Sequence, residues 1–93
     1  MKEIYLFHLI DCPYCINARK AIEALKAENP AYQDIQVRWI EETQEPEMIQ
    51  NRDYYYVPTI FYGDQKLYEA KPGQSYDTIK ENIRRSFDTV LQN

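Results

Sequence analysis

The alternation of apolar and polar positions changes period several times along the chain, and each change predicts a new element. Ile4–Tyr5–Leu6–Phe7 is a continuous apolar, β-prone run of the kind that forms a central strand buried on both faces. After Pro13 the period lengthens. Ile16, Ala18, Ala21, Ile22 and Leu25 mark one face, and Asn17, Arg19, Lys20, Glu23 and Lys26 mark the other. That spacing predicts a helix ending near Asn29, because Pro30 cannot continue it. Ile35, Val37 and Trp39 alternate with polar neighbours and predict a second strand. Strand, helix, strand over so short a stretch predicts a parallel pair joined by a right-handed crossover. Pro46–Glu47–Met48–Ile49–Gln50 predicts a short helix opened by proline and acids. Pro58–Thr59–Ile60–Phe61–Tyr62 reads as a strand that Gly63–Asp64 turns into Lys66–Leu67–Tyr68–Glu69, an antiparallel hairpin. Pro72–Gly73 interrupts the chain, and Ser75 is placed to cap a last helix whose face is Tyr76, Ile79, Ile83, Phe87, Val90 and Leu91. The expected architecture is α/β, a four-stranded mixed sheet flanked by three helices.

Length and charge narrow this further. At 93 residues the chain is one domain spanning positions 1–93. Hydrophobic residues at 44% and charged residues at 28% are near the globular average, which argues against disorder or a fibrous repeat. A net charge of −4 argues against nucleic acid or an anionic membrane as partner, since both require a basic footprint. The longest apolar run, Ile4 to Ile10, is interrupted by His8, is too short to span a bilayer and lacks a basic leader region. A cytoplasmic monomer is the expectation.

Both cysteines fall in one tetrapeptide, Cys12–Pro13–Tyr14–Cys15, at the junction of the first strand and first helix. One bridge closing so small a loop adds little stabilisation by chain entropy, so holding the fold together does not explain the pair. A zinc site needs four ligands, and His8 and Asp11 complete an awkward set; no metal is expected. Proline suits the first helical position, which makes Cys12 the N-cap, facing the unpaired amides of the first turn and the positive end of the helix dipole. Both features favour thiolate over thiol. Cys15 lies one turn on, roughly 5–6 Å away on the same side, within reach of a disulfide. Position and spacing thus predict one sulfur that attacks and one that resolves. Lowering the pKa of Cys12 nearly cancels in attack, because nucleophilicity falls as the thiolate fraction rises; the larger gain is a better leaving group. Asp11 opposes this with a negative charge, and His8 is read as a residue packed at a strand end.

Taken in order, Cys12–Pro13–Tyr14–Cys15, Tyr56–Val57–Pro58–Thr59 before a hairpin, and the final glycine turn at Gly73 resemble a dithiol glutaredoxin of the thioredoxin superfamily over essentially the whole chain. The resemblance implies a thioredoxin-like fold, catalytic Cys12 and Cys15, and support from Pro13, Tyr14 and Pro58. It implies that Pro58 is cis and packs beside the cysteines, while the Val57 backbone pairs with an extended substrate like an extra strand. Tyr56 is a further substrate contact. Gln50 and Arg52 lie where the family often holds the glycyl carboxylate of glutathione, and the amides near Gly73 and Ser75 could receive the glutamyl carboxylate. The implied activity is reduction of protein or glutathione mixed disulfides, with glutathione as a co-substrate and no bound cofactor. The chain departs from the family in two places. Leu9–Ile10–Asp11 stands where a basic residue is usual, and Pro72–Gly73 stands where a glycine pair is usual. The missing basic residue, with Asp11 in that stretch, predicts weak binding of glutathione. The alternatives are a thioredoxin-like reductant of protein disulfides served by a reductase, and a non-enzymatic interaction domain.

Overall fold

In the computed structural model, which describes residues 2–93, the first strand lies inside the sheet. Strand β1 (Lys2–His8) leads into helix α1 (Pro13–Glu28), and a 3-10 turn (Pro30–Asp34) precedes β2 (Ile35–Glu41). A second 3-10 turn (Pro46–Ile49) and an extended stretch lead to the hairpin β3 (Thr59–Tyr62) and β4 (Gln65–Glu69), and helix α2 (Tyr76–Leu91) closes the chain. The sheet order is β2-β1-β3-β4. β1 runs parallel to β2 and antiparallel to β3, and β3 is antiparallel to β4, so the sheet is mixed as expected.

The apolar run of β1 supplies both faces. Ile4 and Leu6 point into the larger core, where they meet Ala18, Ala21, Ile22 and Leu25 of α1 and Ile79, Ile83, Phe87 and Val90 of α2. Phe7 points the other way, into a smaller core with Ile40 and Phe61, against which Tyr5, Met48, Ile49, Tyr54 and Val57 pack. The two-residue period of a strand produces this division. Both α-helices therefore cover one face of the sheet.

Three expected helices are corrected to two. The segment after Pro46 forms only the single turn Pro46–Ile49, which buries none of its residues fully, and Asn51 just beyond it takes a positive φ of 67°. A helix that short lacks the propagated hydrogen bonds and apolar stripe that offset nucleation. The second sheet face is covered instead by the connection from β2 to β3. The face of α1 buries Ala18, Ala21, Ile22 and Leu25 as expected, with one correction: Cys15 joins the buried stripe and Ile16 is 45% exposed. Ser75 caps α2 as expected, its Oγ accepting a hydrogen bond from the Thr78 amide at 3.1 Å. Among the described residues no helix is long and apolar enough to cross a membrane.

Phe7 is wholly buried and edge-on to Phe61 at 5.7 Å, and Tyr54, 5.3 Å from Phe7 and 6.1 Å from Phe61, completes a triangle of rings. Truncating it removes the centre of the smaller core, so Phe7→Ala is expected to cost about 3–5 kcal/mol in urea unfolding. A loss below 1 kcal/mol would show that this face is not a packed core.

Candidate functional site

The sharp turn from β1 into α1 sets the cysteines at the carboxyl end of the central strand. The Cys12 amide donates to the Leu9 carbonyl at 3.4 Å, closing a turn, and the Cys12 carbonyl accepts the first helical bond from Ile16 at 3.0 Å. Cys12 is the N-cap with extended backbone (φ −80°, ψ 120°), and Pro13 occupies the first turn. Its side chain, however, makes no capping hydrogen bond to the helix. The Cys12 thiol points instead toward the Val57 carbonyl, with the sulfur 3.8 Å from that oxygen. Sequence reasoning aimed this sulfur at the helix amides; the neighbouring loop offers the acceptor that a thiol, unlike a thiolate, requires.

The two free thiols differ sharply in burial. Cys12 is half-exposed, while Cys15 is 3% exposed in the packed stripe of α1. Burial pushes the Cys15 thiol up to about 12, against an opposing pull from the Leu9 amide and with a smaller upward push from Cys12. At neutral pH Cys15 is held as a thiol.

The loop opposite is held by several anchors. The Val57–Pro58 peptide bond is cis, and Pro58 is buried. Thr59 Oγ1 donates to the Tyr56 carbonyl, and the Pro58 carbonyl accepts from the Ala70 amide at 3.0 Å. Glu69, at the end of β4, is the anchor that sequence reasoning missed. Its Oε2 accepts from the amides of Tyr55 at 2.7 Å and Tyr56 at 2.8 Å, while its Oε1 meets the Lys66 ammonium at 2.8 Å. Lys66 also donates to the Asp53 carbonyl at 3.0 Å. No local pattern announces a contact made thirteen or fourteen positions away through a carboxylate.

The remaining predicted site residues separate into two groups. Tyr14 is half-buried against the main core, and its hydroxyl accepts from the Gly73 amide at 2.7 Å. The turn at Gly73 (φ 90°) and the cap at Ser75 are thereby joined to the cysteine loop, but that Gly73 donor is already engaged by Tyr14. Gln50 and Arg52 are not brought to the sulfurs. The Arg52 guanidinium lies 4.8 Å from the centroid of Phe61 and donates to the carbonyls of Met48 and Gly63, the latter following the end of β3 remote from Cys12. Tyr55 is 83% exposed and Tyr56 38%, stacked edge to face at 4.8 Å.

His8 is buried and edge-on to Trp39 at 5.3 Å. Burial, with the nearby Arg19 charge, pushes its pKa below the usual value and keeps it neutral, in line with a packing role. Among the described residues no group of three or more His, Cys, Asp or Glu side chains is arranged to hold a metal ion.

No family model and no curated protein matches this chain. Solved structures do. Thioredoxin 1 from the thermophilic eubacterium Thermosipho africanus TCF52B superimposes with a TM-score of 0.59 at 17% identity, over 94% of this chain and 96% of that one. A malarial protein superimposes with a TM-score of 0.59 at 13% identity, over 89% and 93% of the two chains. The chain thus has a thioredoxin-like fold.

The Lys66 ammonium beside Glu69, with the Tyr56 and Tyr55 amides, holds its carboxyl down at about 2 against an ordinary value of 4.5. A depressed carboxyl stabilises the fold above its unfolded value, and that contribution is lost as pH falls from 4.5 toward 2. Glu69→Gln is expected to cost about 1–2 kcal/mol at pH 7 and to flatten the loss of stability across that acid window, measured by urea unfolding. A variant as stable as the parent at pH 7 and equally acid-sensitive would remove Glu69 from this role.

Proposed function

We propose that the protein is a thiol–disulfide oxidoreductase that reduces mixed disulfides through the Cys12–Cys15 pair in the manner of a dithiol glutaredoxin. The observation that carries this reading is the pairing of a half-exposed Cys12 sulfur, 3.8 Å from the Val57 carbonyl, with a buried thiol one helical turn behind it. A thioredoxin-like fold is compatible with it but does not by itself specify a reaction.

Cys12 gives up to solvent the proton that its thiol directs at the Val57 carbonyl, and the thiolate attacks one sulfur of a substrate disulfide. The substrate S–S bond breaks, its other sulfur leaves as a thiolate that takes up a proton, and Cys12 holds the first sulfur in a mixed disulfide. Cys15 then loses its proton to solvent and attacks Cys12, expelling the second substrate thiol and forming the Cys12–Cys15 disulfide. Two electrons have passed from protein to substrate, and an external thiol or dithiol returns them. The high pKa of Cys15 keeps this sulfur from competing for the first attack. The Val57 backbone is the proposed rail for an extended substrate, pairing as an added strand, with Tyr56 beside it.

A reductase dithiol is the favoured electron donor over glutathione. Arg52 is engaged on Phe61 and with backbone carbonyls, and Asp11 is the charged residue beside Cys12. Both reduce the positive charge available for the carboxylates of glutathione.

Cys12→Ser is expected to abolish reduction of any disulfide, since the attacking sulfur is gone. Cys15→Ser is expected to retain the first attack and accumulate a mixed disulfide on Cys12, seen by intact-protein and peptide mass spectrometry. An adduct on Cys15 with Cys12 free would reverse the roles. Absence of turnover with both glutathione and a thioredoxin reductase would favour the interaction-domain reading.

A further inference from the structure

We infer that this site selects disulfides whose cysteine is flanked by lysine or arginine, an inference that rests on the redox reading above and names its substrate class. The cavity of about 570 Å3 that opens beside the reactive sulfur has Ile10, Asp11, Cys12, Glu41, Thr43 and Gln44 among its walls. Its charged groups are both carboxylates. Asp11 is exposed at the sulfur's side, and Glu41 is fixed by the Thr43 amide and hydroxyl, which hold it ionised below the usual carboxylate range.

Among the described residues no cation lines this cavity; Arg19 belongs to the adjoining recess with His8, Leu9 and Ile10. Arg19 stacks on Trp39 at 4.0 Å, Arg38 pairs with Glu45 at 3.2 Å, and Arg52 lies over Phe61. His8 is neutral. A substrate bringing positive charge meets a wall whose charged groups are the exposed Asp11 and the buried Glu41, and one bringing negative charge is disfavoured there; such complementarity chiefly governs encounter and choice of partner.

Apolar surface in the same place suits the same side chains. Ile10 is 62% exposed on the cavity wall, which favours a residue with a long aliphatic stem and a charged head. The exposed rings of Tyr55 and Tyr56 immediately precede Val57 in the chain, and the faces left free by their mutual edge-to-face contact can receive a guanidinium or ammonium. The exchange step is the one already balanced: the peptide disulfide gains two electrons and is released as thiols, and the Cys12–Cys15 dithiol is oxidised to a disulfide.

The test uses the reduced protein and two peptides, each a thionitrobenzoate mixed disulfide of one cysteine, flanked in one by Lys and Arg and in the other by Asp and Glu. Single-turnover rates are followed by thionitrobenzoate release, and each is divided by the rate with free 2-mercaptoethanol to remove the peptides' own reactivity. The basic peptide is expected to react on the order of tenfold faster, with the gap closing at high salt and narrowing severalfold in Asp11→Asn. Glu23→Gln, a charge removed on the exposed side of α1, is expected to leave the ratio unchanged. Equal rates, a preference for the acidic peptide, or equal narrowing by Glu23→Gln and Asp11→Asn would each overturn the inference while leaving the redox reading intact. Reaction of neither peptide overturns both.

Discussion

The antiparallel pairing of Phe7 with Thr59 is the constraint on which the site depends. Where β1 ends, the chain turns through Cys12 into α1; where β3 begins, it has just passed Val57 and Pro58. Opposite strand directions put an exit and an entrance at the same edge, so two loops forty-five positions apart meet with the Cys12 sulfur against the Val57 carbonyl. A slip of one residue would also turn Phe7 and Ile60 to the wrong cores. The burial of these side chains therefore protects the geometry of the sulfurs as well as the stability of the sheet.

The connection from β2 to β3 has to cover an apolar sheet face without a helix to satisfy its backbone. It does so with side-chain partners. Glu69 takes the Tyr55 and Tyr56 amides, Arg52 takes the Met48 and Gly63 carbonyls, and the Tyr54 hydroxyl donates to Glu42 while its ring packs on Phe7 and Phe61. A backbone without its own ladder must find such partners or remain in water. This arrangement has a consequence for chemistry: a guanidinium that holds the loop together is not free to receive a substrate carboxylate. The charge around Cys12 is then set by what remains, Asp11 and Glu41.

Local rules carried much of the fold. The two-sided run of β1, the proline that starts α1, the Gly63–Asp64 turn and the Ser75 cap act within a few residues, and each is legible in the sequence. That the expected helix after Pro46 stops at a single turn is not legible, because proline and acids mark a helix start but cannot say whether enough apolar surface follows to propagate it. Ile16 was assigned to the buried face because its period nearly matches, yet Cys15 takes the stripe. At the site, the tetrapeptide and Val57–Pro58 stand out in the chain, whereas the Tyr14–Gly73 hydrogen bond, the Glu69 anchor and the diversion of Arg52 are long-range contacts with no local signature.

The different burial of the two sulfurs follows from where each stands on the docked helix. Cys15 belongs to the row that continues through Ala18, Ile22 and Leu25, so the packing that docks α1 on the sheet also removes its thiol from water. Cys12 precedes the first helical residue, where the backbone is extended and no row is yet defined, and its sulfur stays half-exposed. Exposure and a depressed tendency to ionise are thus separated across one turn of helix by the same packing. Reversing the roles would require a buried N-cap and an exposed first turn, which would take Cys15 and Ala18 out of the core and undock the helix. Stability of the fold and the proposed order of reaction would rest on the same row of side chains.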